Sequence, residues 1–219
     1  QTIDARAAKV EDLLETPVLM ISGREALELT PDQKQNLKQY VSQGGFILAE
    51  ACCGGEAFDQ AFRQLMKELF PESALRLLPP EHAIWFAQER VAPEQMRPLY
   101  GIDACCRTSV VYSPQDLSCL WELSRGDRET GYPKEVKDQI KAGLAIGANV
   151  LAYATNRQLK DKLERPRIAA KGDPNENLTR GVLVIPKLLH GGGSDEAANT
   201  LPRMLGVLRA EVGLRTSSE

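Results

Sequence analysis

The chain has 219 residues, of which 26% are charged and 42% are hydrophobic, and its formal net charge is −3. This length can bury a sizeable core without a metal or a disulfide, and the balance of charges excludes the basic surface that a nucleic-acid backbone requires. No run approaches the roughly 20 apolar residues of a membrane-spanning helix, and no basic-then-apolar signal peptide is present at the start. We therefore expect no nucleic-acid partner and no membrane span in this segment.

The chain begins at Gln1 rather than Met. We therefore expect it to be trimmed from a longer protein, and any export signal or anchor would lie outside it. The compartment stays open, with an exported or membrane-associated location among the alternatives.

The first part of the chain predicts two buried strands joined by a helix. Val18-Leu19-Met20-Ile21 is a short apolar run of the kind found in buried parallel strands. Thr30-Pro31-Asp32-Gln33 then combines a hydroxyl N-cap, a proline at the first helical position and a glutamine that can bond back to the cap. Gly44 supplies the left-handed residue that ends this helix, and residues 46–51 form the second strand.

The turn Cys52-Cys53-Gly54-Gly55 connects that strand to a second helix over residues 56–69. The apolar positions of this helix follow the spacing of three and four residues that marks a packed face. They are Ala57, Phe58, Ala61, Phe62, Leu65, Met66 and Leu69. The succession of helix, buried strand and helix predicts an α/β fold with three layers and a doubly wound, mostly parallel, flavodoxin-like sheet.

The next part of the chain again alternates between predicted strands and helices. We predict a strand at residues 108–112, a turn with a short extended segment at 114–121, a helix at 134–146 and a strand at 149–155. Two large aromatic residues fall near these segments, Trp85 and Trp121. Either could form a binding platform for a sugar or peptide, but we expect core packing.

The composition changes after residue 156. Residues 157–180 are polar and charged, which is typical of a linker or long loop. A strand candidate at 181–190 and a helix face through Val212 then form a β-α unit. We predict a domain at 1–156, a linker at 157–180 and a C-terminal unit at 181–219. That unit is either the start of a second copy, which we favour, or the displaced first strand and helix of the same fold, supplied within the chain or by exchange in a homo-oligomer.

Several segments together resemble a bacterial domain family of unknown function whose fold is similar to that of class I glutamine amidotransferases. The resemblance covers about residues 17–155. Its motifs are the stretch from Val18 through Gly44-Gly45-Phe46-Ile47-Leu48-Ala49-Glu50-Ala51-Cys52-Cys53-Gly54, then Phe58-Asp59-Gln60-Ala61-Phe62-Arg63, Leu69-Phe70-Pro71, Leu78-Pro79-Pro80-Glu81-His82 and Gly147-Ala148-Asn149-Val150-Leu151-Ala152-Tyr153.

The resemblance implies a glutamine amidotransferase-like fold and a place in a longer, modular protein, membrane-associated or exported. Members of the family usually open with a strand, a glycine-containing loop and a helix, as residues 181–212 do here at the end of the chain. In glutamine amidotransferases the nucleophilic cysteine lies in a G-x-C-x-G turn between strand and helix, which suggests a comparison with Cys52.

Ligands of open parallel sheets bind where the strands end at their carboxyl edge. That rule places a set of polar residues and thiols along one rim. They are Ser22, Arg24, Cys52, Cys53, Asn156, Arg157 and His190.

Nucleophilic catalysis by Cys52 is the most specific functional hypothesis for this rim. A helix N-terminus would favour the thiolate, and His82 or His190 would have to act as base, since they are the only histidines. Against it, Glu50 replaces the first glycine of the turn, nearby carboxylates oppose a thiolate, and no His-x-Glu motif follows a late strand.

The five cysteines comprise two adjacent pairs and a single residue. They are Cys52, Cys53, Cys105, Cys106 and Cys119. Adjacent side chains in a strand point to opposite faces and no C-x-x-C spacing occurs, so we expect no metal, and no cofactor is predicted.

We therefore predict a non-catalytic binding or interaction domain of a larger bacterial protein, with its ligand or protein partner unidentified. The alternative is a cysteine-dependent hydrolase or amidotransferase that uses Cys52 with His82.

Overall fold

The computed structural model describes residues 2–104, 107–124, 131–155, 185, 187–191 and 199–212. Its strands are β1 (Thr2–Asp4), β2 (Val18–Gly23), β3 (Phe46–Ala51), β4 (Arg76–Leu77), β5 (Tyr100–Ala104), β6 (Arg107–Ser113) and β7 (Lys187–Leu189). Its α-helices are α1 (Val10–Leu14), α2 (Pro31–Ser42), α3 (Glu56–Leu69), α4 (Ser118–Leu123), α5 (Lys134–Ala154) and α6 (Thr200–Val212). Short 3₁₀ turns lie at Cys52–Gly54, Ala83–Trp85 and Pro93–Gln95.

The strands form one sheet in the order β1-β7-β2-β3-β6-β5-β4. The pairs β1–β7, β7–β2, β2–β3 and β3–β6 are parallel, whereas β5 runs antiparallel to β6 and β4 antiparallel to β5. The prediction of a mixed α/β fold with a mostly parallel sheet is confirmed. The antiparallel edge formed by β4 and β5 was not anticipated from the sequence.

Both faces of the central strands are buried. Every residue of β2 and β3 is buried, and alternate residues of these strands join two separate hydrophobic clusters. Residues of α1, α2 and α3 belong to one cluster, and residues of α4, α5 and α6 belong to the other. Helices therefore cover both sides of the sheet, which explains why β2 and β3 are continuous apolar runs rather than alternating ones.

The locally encoded elements lie where the sequence predicts them. The Thr30 hydroxyl accepts a hydrogen bond from the Gln33 amide at 3.3 Å, and the Gln33 side chain accepts one from the Thr30 amide at 2.8 Å. This capping box begins α2 at Pro31, and Gly44 has the left-handed φ of 97° expected after the helix end. The predicted strand at 46–51 and helix at 56–69 are likewise confirmed.

Two predicted elements are wrong. Residues 149–155 do not form a strand, because α5 continues through Ala154, and residues 118–123 form α4 rather than part of an extended turn. The apolar run of α5 is buried against α4: a side chain on Gly143 would collide with Leu120, and one on Gly147 would collide with Trp121. This close helix contact favours a helix over a strand and was not visible in the local sequence.

Trp85 and Trp121 are 3% and 1% exposed, and both belong to the cluster that contains α5. Their indole N–H groups donate to the carbonyl groups of Pro79 and Gly143. The expected core role of both residues is confirmed.

The C-terminal strand β7 lies between β1 and β2, with Ile3 opposite Leu188 and Met20 opposite Lys187. Helix α6 packs against α4 and α5. The predicted linker at 157–180 lies outside the described residues, and the division into domains stays a prediction.

Within the described ranges, no helix is long and apolar enough to span a lipid bilayer.

Candidate functional site

The chain turns sharply after β3. Cys53 adopts φ 54° and ψ 25°, and it is the one described residue other than glycine with a positive φ. Gly54 follows with φ 67°, and a Cβ at position 55 would collide with the carbonyl oxygen of Arg24. The two glycines thus allow the left-handed turn and its close approach to the end of β2.

Three free thiols meet at this turn. The Sγ atoms of Cys52 and Cys53 are 3.6 Å apart, and the Sγ atom of Cys119 at the start of α4 lies 3.9 Å from that of Cys53. Cys52 is buried, Cys119 is half-buried and Cys53 is exposed. Neighbouring cysteines were expected to point to opposite faces, but this premise is wrong because β3 ends at Ala51 and the two cysteines lie in the turn.

Asp116 links Cys53 to Cys119 through hydrogen bonds to their backbone amides. Its Oδ2 atom accepts a hydrogen bond of 2.7 Å from the backbone amide of Cys53, and its Oδ1 atom accepts one of 2.8 Å from the backbone amide of Cys119. The Ser118 hydroxyl donates to the same Oδ1 atom at 3.2 Å. A single carboxylate therefore fixes the turn after β3 relative to α4.

Glu50, the penultimate residue of β3, supplies a second carboxylate beneath the thiols. It is 1% exposed, and its Oε1 atom accepts a hydrogen bond of 2.9 Å from the hydroxyl of Ser22. Its Oε2 atom accepts from the backbone amides of Leu117 and Ser118 at 3.0 and 2.9 Å. Glu50 thus ties β2, β3 and the start of α4 together at the carboxyl edge of the sheet.

We call the set Cys52, Cys53, Cys119 and Asp116 the cysteine cluster. Comparison with known families matches residues 3–155 to the family described as Domain of unknown function (DUF4159). The chain belongs to this family. Comparison with curated proteins finds no match. The DUF4159 match contains the whole cysteine cluster, whereas β7 and α6 lie beyond the matched residues.

The electrostatics of the cysteine cluster oppose ionisation of two of its thiols, Cys52 and Cys119. Burial raises the pKa of the Cys52 thiol to about 12, with further contributions from the Cys53 thiol and from the Asp116 and Glu50 carboxylates. Burial and Asp116 also raise the pKa of Cys119. Both thiols are therefore protonated at neutral pH, which is the reverse of what an activated nucleophile requires.

Burial also raises the pKa of the Glu50 carboxyl, and the hydrogen bonds from Ser118 and Leu117 partly offset this effect. The negative charge of Asp116 acts in the same direction as burial. The Asp116 carboxylate therefore disfavours the ionisation of Glu50 as well as that of Cys52 and Cys119.

His82 lies far from the cysteine cluster. Its Nε2 atom is 3.0 Å from the hydroxyl of Thr108, near the amino end of β6, and its Nδ1 atom accepts a hydrogen bond from the Ile84 amide. Glu50 is opposite Ser113, five residues beyond Thr108, and Cys52 follows Glu50 at that edge of the sheet. At about 3.3 Å per residue the separation along the sheet is about 16 Å or more, so the structure does not bring His82 and Cys52 together.

Of the other predicted rim residues, His190 and Arg24 are described by the structure, and Asn156 and Arg157 are not. His190 follows β7 at the same edge as the cysteines, with Nε2 3.2 Å from the carbonyl oxygen of Ser22 and its ring stacked 6.0 Å from that of Phe58. Arg24 is exposed beside Gly55. Asn156 and Arg157 lie outside the described residues.

The sequence interpretation missed Asp116 and Cys119 as members of the site. A usable signal existed: an aspartate three residues before Cys119 is the spacing at which a side chain can bond a helix-start amide. The segment was instead interpreted as a turn, so these residues were not connected with Cys52 and Cys53.

Proposed function

We propose that the chain is a non-catalytic binding domain with a three-layer, flavodoxin-like and glutamine amidotransferase-like architecture, and that it forms part of a larger bacterial protein. Its ligand site is the cysteine cluster at the carboxyl edge of the sheet. Parallel strands with helices on both faces of the sheet support this architecture. Ligands of such sheets bind at the carboxyl ends of the strands, which supports this position of the ligand site.

The observation that carries the proposal is the contact between Asp116 and the Cys53 amide. A cysteine nucleophile needs a thiolate, and acyl transfer needs backbone amides free to bind the developing oxyanion. At this turn a carboxylate accepts the hydrogen bond of the Cys53 amide at 2.7 Å, and two carboxylates lie near the thiols. The arrangement therefore favours binding over acyl transfer.

A second candidate, a cysteine hydrolase, has one observation in its favour. Cys53 is exposed and left-handed in a strand-to-helix turn, and Ala51-Cys52-Cys53-Gly54-Gly55 places it, rather than Cys52, at the centre of the G-x-C-x-G spacing. The histidine at that edge is His190. This candidate therefore uses Cys53 with His190 instead of the predicted pair Cys52 and His82.

Alkylation distinguishes the two candidates. The metal-stripped, reduced chain is treated with iodoacetamide at pH 6, and the labelling of each cysteine is followed by mass spectrometry. We expect Cys52 and Cys53 to react no faster than free cysteine under the same conditions. Labelling of either residue at least tenfold faster would identify an activated nucleophile and would reject the binding domain in favour of the hydrolase.

We also propose that residues 187–212 belong to the same domain as residues 2–155. The position of β7 between β1 and β2 supports the displaced-unit alternative within one chain, without exchange between copies. On this proposal the tandem-copy hypothesis is not needed.

A further inference from the structure

We propose that the cysteine cluster binds one thiophilic divalent cation of the zinc class. Cys52, Cys53 and Cys119 supply sulfur ligands, and Asp116 supplies a carboxylate oxygen. The inference rests on the proposed function, because it names the ligand class of the same site.

Two of the three sulfur separations, both of them to Cys53, fit a tetrahedral ion. Two sulfurs bound at about 2.3 Å with a tetrahedral angle between them are about 3.8 Å apart. The Cys52–Cys53 and Cys53–Cys119 separations of 3.6 and 3.9 Å lie on either side of that value. One ligand atom from each of Cys52, Cys53 and Asp116 also lies within 4.8 Å of the other two. Cys119 is not part of that set: its sulfur is close to that of Cys53 and would have to move toward the other two ligands when the ion binds.

The left-handed conformation of Cys53 makes the adjacent pair usable. In a continuing strand the two side chains would point to opposite faces, but here the chain turns at Cys53 and brings the sulfur atoms to one side. An outlying backbone conformation costs free energy and is commonly retained where a site needs it. The left-handed turn would thus position two sulfur ligands on one side rather than expose a nucleophile.

The surrounding hydrogen bonds orient the ligands. Both oxygens of Asp116 accept backbone amides from cysteines of the cluster, which holds the carboxylate in place. Oδ1 also accepts the Ser118 hydroxyl, so the lone pair available to a metal is on Oδ2. The Arg97 guanidinium donates to the carbonyl oxygen of Asp116 at 3.2 Å and adds positive charge beside an anionic site. Such contacts outside the ligand set commonly tune metal affinity.

The chemistry of the donors selects the ion. Three thiols and one carboxylate suit Zn²⁺ or Cd²⁺, whereas Mg²⁺ and Ca²⁺ prefer ligand sets made of oxygen atoms. A divalent cation would also offset the repulsion that Glu50 and Asp116 exert on thiolates. The carboxylates that disfavour a nucleophile would therefore favour a bound cation.

The test uses the full chain, reduced and stripped of metal. Cd²⁺ is titrated while the ultraviolet charge-transfer absorption of cadmium thiolates is recorded, and Zn²⁺ is then added as competitor. We expect one Cd²⁺ per chain, displaced by Zn²⁺ but not by Mg²⁺. The single variants C53S, C119S and D116N each remove a proposed ligand and should each weaken binding at least tenfold, the lower end of the effect seen even for residues outside the ligand set.

The matched control is the double variant C105S/C106S, which removes the other adjacent cysteine pair. We expect it to bind Cd²⁺ as the unmodified chain does, and circular dichroism checks that every variant is folded. Absence of the charge-transfer band, or an equal loss of binding in the control, would overturn the inference. If the stripped chain binds no metal yet its thiols label slowly, the metal site fails while the binding-domain proposal stands.

Discussion

Removal of the C-terminal unit tests whether β7 and α6 belong to the core of this domain. Among the described residues, a chain that ends at Lys171 lacks five buried apolar side chains. They are Ile185, Leu188, Leu201, Met204 and Leu205, each at most 5% exposed. Full burial of such a side chain is worth about 1.5–3 kcal/mol, so their removal costs about 7–15 kcal/mol. A loss of this size equals the whole free energy of unfolding of a typical domain, about 5–15 kcal/mol.

The sheet would also be interrupted. Strand β1 pairs with β7, and β7 also pairs with β2, so the shortened chain would leave β1 without its described partner and β2 with an open edge. We therefore expect the chain ending at Lys171 to lose cooperative unfolding in urea, followed by near- and far-ultraviolet circular dichroism. The full-length variant M204A is the graded control, with an expected loss of about 2–5 kcal/mol.

Cooperative unfolding of the shortened chain would contradict this prediction. If the chain ending at Lys171 unfolds cooperatively with the midpoint and urea dependence of the full chain, residues 185–212 contribute nothing to this core. The hypothesis of a second, tandem copy would then stand.

Three further predictions concern the turn and the titrating groups. Gly55→Ala should destabilise the chain by about 1–3 kcal/mol, because its Cβ would meet the backbone of Arg24. Gly54→Ala should cost about 1–2 kcal/mol for a different reason, because its φ of 67° is left-handed although no atom lies within 4 Å of the added Cβ. Urea denaturation of both variants measures the losses, and unchanged stability of either variant would contradict the prediction. Burial raises the pKa of Glu50 above its ordinary 4.5, so its stabilising contribution is present below pH 4.5 and is lost as the pH rises through the folded-state pKa. Glu50→Gln should flatten this decline of the free energy of unfolding with rising pH. An unchanged slope of the free energy of unfolding against pH would refute the assignment. Burial lowers the pKa of His82 below its ordinary 6.5, so the neutral ring stabilises the fold above pH 6.5, and this contribution is lost as the pH falls through the folded-state pKa. His82→Asn should reduce the loss of stability on acidification. A free energy of unfolding with the same pH dependence in both proteins would count against the prediction.

The locally encoded part of the fold could be predicted well. The capping box from Thr30 to Gln33, the glycine at position 44 and the apolar spacing of α3 all act within a few residues, so a short window of sequence contains their physical cause. Strands β2 and β3 were found for the same reason, since a strand buried on both faces must be apolar throughout.

The errors have a different origin. The run from Asn149 to Ala154 has the composition of a strand, but Asn149 accepts amide hydrogen bonds from Gln88 and Glu89 while the helix packs closely on Trp121. These partners are distant in the chain, since positions 88 and 149 are 61 residues apart. Short apolar segments are ambiguous between helix and strand until such contacts are known.

The sequence by itself determined the α/β class, the glycine turn after β3 and the presence of thiols at the carboxyl edge of the sheet. Only the tertiary structure decided that Cys53 is the left-handed residue of the turn, that Asp116 and Cys119 join it, and that His82 lies at the other end of β6. The physical reason is separation along the chain: Cys53 and Asp116 are 63 residues apart, and their contact depends on how α4 is anchored by the buried Glu50 carboxyl. Local propensities cannot encode that distance, whereas packing of the sheet edge fixes it.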